Sequence, residues 1–160
     1  MNITEYQELA ARTCPDLGSN YLNRLHFEVG VLTEIGELAD IFKKKLAYNK
    51  ELDLVHIGEE IADVCWYEVN KLGMYNSKTI EPKLDMIGPM DDHEIITSLL
   101  HYKEFYVLDL MYNIAVSLGL DFYKLLENNI NKLKIRYPNK FDAEKALNRD
   151  LESERKELEK

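Results

Sequence analysis

Two long stretches with apolar residues at helical spacing, joined by a short polar connection, occupy most of this chain between residues 21 and 72. At about 100° per residue, the first (about residues 21–48) carries two apolar stripes. Phe27, Val31, Leu38 and Ile41 form one, and Leu25, Val29, Leu32, Ile35, Ala39 and Phe42 form the other. One stripe can face the fold's own core while the other meets a further helix or a second subunit. The second stretch (about 52–72) places Leu54, Ile57, Ile61, Val64, Cys65 and Leu72 on one face, with a polar and aromatic face opposite. A short connection makes the two helices antiparallel neighbours.

Prolines and glycines fall mostly at junctions and set the remaining boundaries. A short helix over about 3–12 precedes the pair, and Ser19 or Asn20 is placed to cap the long helix. Asp91 followed by Glu94 is the pattern of a capping box, opening a fourth helix expected to run to Leu118, where Gly119 ends it. Asp121 can cap a fifth, ending near Arg136. Residues 142–160 are mostly charged, with only Leu147, Leu151 and Leu158 as large apolar side chains, and read as a marginal helix or frayed end. The expected architecture is all-α, a four- to five-helix bundle over residues 1–141 followed by a charged tail. Nothing suggests βαβ alternation or a Gly-rich phosphate loop.

A hydrophobic fraction of 46% over 160 residues is enough for one buried core. The net charge of −9 repels polyanions, which disfavours long DNA or RNA as a partner. It leaves room for a small phosphorylated substrate, because a bound cation inverts the local field. No run approaches the roughly 18 apolar residues of a membrane span, and the opening residues lack the features of a signal peptide. Cys14 and Cys65 form no CxxC pair, and reduced thiols in a cytoplasmic protein are the expectation, with Cys65 in the core.

Carboxylates recur one turn apart on both long helices: Glu34 with Glu37, and Glu60 with Asp63. Glu34 lies angularly among apolar residues, and Glu59, Glu60 and Asp63 repel one another along one face. Antiparallel packing can make Glu34, Glu37, Glu60 and Asp63 converge, giving the all-oxygen ligand set that Mg²⁺ selects, with Mn²⁺ as a substitute. A solvated helix face is the better account of any one such pair, since the same spacing occurs at Glu5 and Glu8; two pairs on adjacent long helices bring the metal reading level with it. A di-iron bundle would require Glu-x-x-His pairs, which the chain lacks.

The context of these acids, Glu34-Ile35-Gly36-Glu37-Leu38-Ala39-Asp40 and Glu59-Glu60-Ile61-Ala62-Asp63-Val64-Cys65-Trp66-Tyr67, resembles the MazG-like all-α nucleotide pyrophosphohydrolases. Asn129-Ile130-Asn131-Lys132-Leu133-Lys134-Ile135-Arg136-Tyr137-Pro138 looks like that family's closing segment. The resemblance covers about residues 3–73 and 112–141, and an insert around 76–111 departs from compact members. It implies Mg²⁺-dependent hydrolysis of an NTP or dNTP to the monophosphate and pyrophosphate, with Glu34, Glu37, Glu60 and Asp63 as catalytic metal ligands. It also implies a homodimer or homotetramer. Asn129, Lys132 and Arg136 share a helical face suited to phosphate or sugar oxygens, and Lys43 or Lys44, just after the acidic turn, could also neutralise phosphate charge. Trp66 and Tyr67 are candidates to stack a base, although core or interface packing explains them too. His26 and His56 are left without a role. Related alternatives are an all-α dUTPase-like enzyme and a phosphoribosyl-ATP pyrophosphohydrolase. From another class, the alternative is a non-catalytic helical protein binding a nucleotide or a partner.

Overall fold

The computed structural model describes residues 1–75, 81–83, 88–102 and 106–159. Every regular element among them is helical: α1 (Ile3–Ala10) running into a 3-10 turn (Ala11–Thr13), α2 (Asn20–Tyr48), α3 (Leu54–Met74), α4 (Asp92–Leu100), α5 (Val107–Ser117), α6 (Phe122–Arg136), α7 (Ala143–Leu147) and α8 (Leu151–Leu158). No described helix is long and apolar enough to cross a membrane.

Local chemistry explains the boundaries. Asn2 and Glu5 form a capping box on α1, as Asp91 and Glu94 do on α4. Ser19, Asp53 and Asp121 each accept a backbone N–H at the start of α2, α3 and α6. Asn49 takes the left-handed conformation at the end of α2 (φ 51°), and four residues later Asp53 starts α3, so the chain reverses in a tight αα-hairpin. Gly119 (φ 72°) ends α5 in a Schellman motif, with the Leu120 amide donating to the Ala115 carbonyl at 2.9 Å.

The hairpin of α2 and α3 is the main packing interface, and α3 is its buried member, touching α1, α2, α5, α6 and α8. Ile57, Ile61, Val64 and Cys65 are fully buried, and so is Ala62 on another side of the helix. On α2 the core face is Phe27, Val31, Ile35, Leu38 and Phe42. The second expected stripe therefore splits. Ile35 and Phe42 turn inward with the first, whereas Leu25, Val29 and Leu32 lie on the surface, Leu32 at 58% exposure. Leu54, placed on the core face of α3 by its spacing, is also exposed because it sits in the first turn beyond the packed region.

The single fourth helix expected from Asp91 to Leu118 is two helices. Ile95 and Leu99 of α4 are buried, and this helix packs on α2; α5 packs on α3 through Val107, Met111 and Ile114. Breaking the rod lets each half reach a different partner. Within the insert, residues 76–80, 84–87 and 103–105 lie outside the described residues. Residues 142–159 form two short helices, and α8 lies against α6 and α3.

Close approach of α2 to α3 depends on Gly30, where a Cβ would fall 2.1 Å from the Tyr67 ring. Gly30→Ala gains about 1 kcal/mol of helix propensity but forces that ring aside at a cost of about 1–3 kcal/mol. Gly36→Ala, where an added Cβ meets nothing within 4 Å, takes the propensity gain alone. Thermal melts followed by circular dichroism are expected to show the first variant less stable than the parent and the second more stable.

Candidate active site

Antiparallel packing places the acidic turn of α2 opposite that of α3. Ligand oxygens of Glu34, Glu37 and Glu60 all lie within 4.8 Å of one another. Glu37 is exposed, Glu34 is half-buried and Glu60 is only 4% exposed. Oε1 of Glu60 faces His56 Nε2 at 3.3 Å, while its buried Oε2 has no hydrogen-bond donor. Burial, then the charges of Asp63 and its neighbouring glutamates, pushes the Glu60 carboxyl well above the ordinary value of 4.5. Burial, followed by Asp63 and Glu37, does the same to Glu34. Two acids forced this close hold a proton or attract a cation.

Asp63 belongs to a different arrangement. Lys132, 1% exposed, donates from Nζ to both Asp63 oxygens at 2.8 and 2.7 Å and to Glu59 Oε1 at 3.2 Å. Asn129 Nδ2 donates to Asp63 Oδ1 at 2.5 Å, and the Tyr6 hydroxyl in turn donates to Asn129 Oδ1 at 2.8 Å. The sequence placed Asn129 and Lys132 on one face to meet a ligand. In the fold that face meets Asp63 and fixes its rotamer, with α6 delivering the cation into the acidic face of α3.

The carboxylates line a cavity of about 760 Å³. Its walls include His26, His56, Trp66, Tyr67, Arg136 and Tyr137, and its far side is built by Arg149, Glu154 and Arg155 of the C-terminal segment. Trp66 is largely buried, donates from Nε1 to Thr13 Oγ1 at 3.1 Å, and packs edge-on against Phe27 and Tyr67. It forms a wall and is not a free stacking platform. His26 packs against the Tyr67 ring, with burial lowering its pKa. Arg136 is engaged by Glu154 through two hydrogen bonds of 2.8 and 2.6 Å. Lys43 and Lys44 both pair with Asp40 on the surface and do not line the cavity.

Sequence reasoning did not find Arg149 or Glu154. Glu154 is 2% exposed and accepts from Arg136 and Arg149, the latter at 3.1 and 2.8 Å. Burial opposes its charge, but the two guanidiniums outweigh this and lower its pKa. The available signal was Asp150 followed by Ser153, a helix-capping pattern at the start of α8.

A proton retained by folded Glu34 and Glu60 but released on unfolding makes stability fall as the pH rises above about 4.5. In chelator, melting temperatures from about pH 5 to about pH 9 are expected to decline. Glu60→Gln is expected to flatten that decline and to add about 1–3 kcal/mol at the alkaline end. Lys132→Met takes the buried cation away from the partly exposed Asp63 and Glu59 carboxylates, and a loss of about 1–3 kcal/mol in denaturant unfolding is expected.

Comparison of the chain with protein-family models, curated proteins and solved structures returned no match.

Proposed function

We propose that this protein is a divalent-cation-dependent nucleoside triphosphate pyrophosphohydrolase, built as a MazG-like helical bundle. The observation that carries this reading is the convergence of Glu34, Glu37 and Glu60 on the wall of a cavity whose other walls carry aromatic rings and guanidinium groups. Acids on one side and cations on the other suit a ligand that is itself a metal-phosphate complex.

The residues fit a hard cation. The donor set is oxygen-only, and no cationic or N–H donor reaches the buried Glu60 Oε2, which leaves Glu60 with the neighbouring Glu34 carboxyl to share a proton. Glu34, Glu37 and Glu60 would hold Mg²⁺ or Mn²⁺. When bound, such an ion polarises phosphate oxygens and makes a coordinated water more acidic. Asp63 lies beside that set and outside it; held in place by Lys132 and Asn129, it is the carboxylate fixed to orient the attacking water, since its geometry does not depend on the ion. Arg136 and Arg149 supply positive charge opposite the acids, where charge builds on the leaving pyrophosphate. Trp66, Tyr67 and Tyr137 give an apolar wall that suits a base and sugar. Self-association through the exposed α2 stripe of Leu25, Val29 and Leu32 belongs to the same reading, as a homodimer or homotetramer.

One observation favours a non-catalytic alternative. Lys132 already supplies an internal cation to Asp63 and Glu59, so part of the acidic face is neutralised without metal, as in a binding protein. Catalysis separates the two readings. Chromatography after incubation with each common NTP and dNTP in Mg²⁺ is expected to show monophosphate and pyrophosphate in equal amounts. Glu37→Ala is expected to cut the rate by about 10²-fold or more. Millimolar Mg²⁺ is expected to raise the melting temperature of the parent, and Glu60→Gln to abolish that rise. Absence of turnover with Mg²⁺ and with Mn²⁺ would overturn the enzymatic reading. A dUTPase-like preference would appear as dUTP alone being cleaved.

A further inference from the structure

The C-terminal segment is attached in an unusual way for a packed helix. No residue of α7 is buried, and the only buried residue of α8 is a carboxylate, Glu154. Of its large apolar side chains, Leu147 and Leu151 are exposed and Leu158 is only partly covered, beside Leu54 and Leu125. What holds α8 down is polar: Glu154 on Arg136 and Arg149, Arg155 on Asp53 at 3.1 Å, and Asn128 donating to the Leu158 carbonyl at 3.3 Å. A helix docked by apolar burial leaves its site only by exposing that surface to water. One docked through a buried ion pair, whose attraction is largely cancelled by desolvation, can leave at little cost provided another anion satisfies the cations.

The position of that pair matters. Glu154 sits on the wall of the same cavity as Glu34, Glu37 and Glu60; it receives Arg136 in the two-oxygen fork geometry that also fits a phosphate, while Arg149 donates from Nε and Nη2 to the single oxygen Oε2. Arg149 additionally reaches Glu59 Oε1 at 3.6 Å, connecting the strap to the acidic face of α3.

We infer that Arg136 and Arg149 form an anion subsite for the phosphate chain of the ligand, and that Glu154 is an internal carboxylate occupying this subsite until a phosphate group displaces it and releases α8. The inference rests on the proposed phosphate-bearing substrate. It adds Arg149 as a ligand-binding residue, Glu154 as an intramolecular competitor, and the segment from Ala143 to Leu158 as a strap over the cavity. The competition has a simple consequence: the apparent affinity for phosphate is reduced by the fraction of molecules whose subsite is free.

The probe is inorganic tripolyphosphate without divalent cation, and the reporter is the fluorescence of Trp66, the chain's one tryptophan, on the wall of that cavity. Glu154→Gln, which keeps the shape but lowers the competitor's charge, is expected to bind tripolyphosphate about tenfold or more tightly than the parent. Arg149→Ala is expected to bind it at least about tenfold more weakly. Hydrogen exchange on the unmodified protein gives a second reading that no folding defect can spoil: amides of 151–158 are expected to exchange faster when tripolyphosphate saturates the site. Unchanged affinity in Glu154→Gln, or amides of α8 that become more protected on binding, would overturn the inference. Tighter binding in Glu154→Gln with no hydrolysis of any nucleotide would sink the enzymatic reading and leave this subsite standing. Hydrolysis by the parent with no effect of Glu154→Gln would do the reverse.

Discussion

The ion pair between Lys132 and Asp63 is the contact on which the rest of the site depends. Lys132 comes from α6, Asp63 from α3, and both are anchored further: Asp63 by Asn129, Asn129 by the Tyr6 hydroxyl of α1. Three helices distant in sequence are thus locked at one point beside the acidic cluster. Isolated ion pairs of this burial contribute little net stability, because desolvation cancels most of the attraction. Their physical value is positional. An ammonium group with two carboxylates to satisfy admits one register of α6 against α3, and that register delivers Arg136, one turn further along, to the cavity wall.

The same logic explains why α3 carries so many polar residues in the middle of the molecule. It packs against five other helices, so a face that would be solvated on a peripheral helix is enclosed here. Glu68 and Lys71 resolve their burial by pairing at 2.7 Å, and Asn70 donates to the Trp66 carbonyl. Glu60 is resolved least. One oxygen faces His56, the other meets no donor, and its neighbours on α2 are also acids. Glu59, Asp63, Glu68 and Glu154 each face a lysine or arginine, whereas Glu60 faces only His56 and another acid, so like charge is concentrated where three carboxylates meet.

How much of this was legible in the sequence follows from which forces leave a periodic trace. The α2–α3 hairpin, the capping residues and the facing acidic turns could be read, since apolar spacing and helix-start chemistry are local. The division of Asp91–Leu118 into two helices could not, because periodicity persists on both sides of the break and only the choice of packing partner decides it. Asn129, Lys132 and Arg136 were correctly grouped on one face, but their partners were invisible: the chain does not announce that Asp63 and Glu154 will take them before a ligand can. The C-terminal strap was hardest to see. Its buried anchor is a glutamate in a charged run, and a hydrophobic pattern is blind to a helix held by ion pairs.

Charge placement across the cavity ties the two halves of the site together. On the α2–α3 side, Glu34, Glu37 and Glu60 lack enough local positive charge; on the α6–α8 side, Arg136 and Arg149 are matched by a carboxylate from the chain's own C-terminal segment. A bare polyanion would be favoured by the second side and repelled by the first, and a bare cation the reverse. Only a ligand that presents a cation to the glutamates and an anion to the arginines satisfies both. In the proposed reading, binding such a ligand would exchange the proton held among the glutamates for a metal ion at one end and Glu154 for a phosphate at the other. Neither exchange leaves a buried charge unpaired, so the closed free protein and the loaded one can both be stable without the bundle repacking.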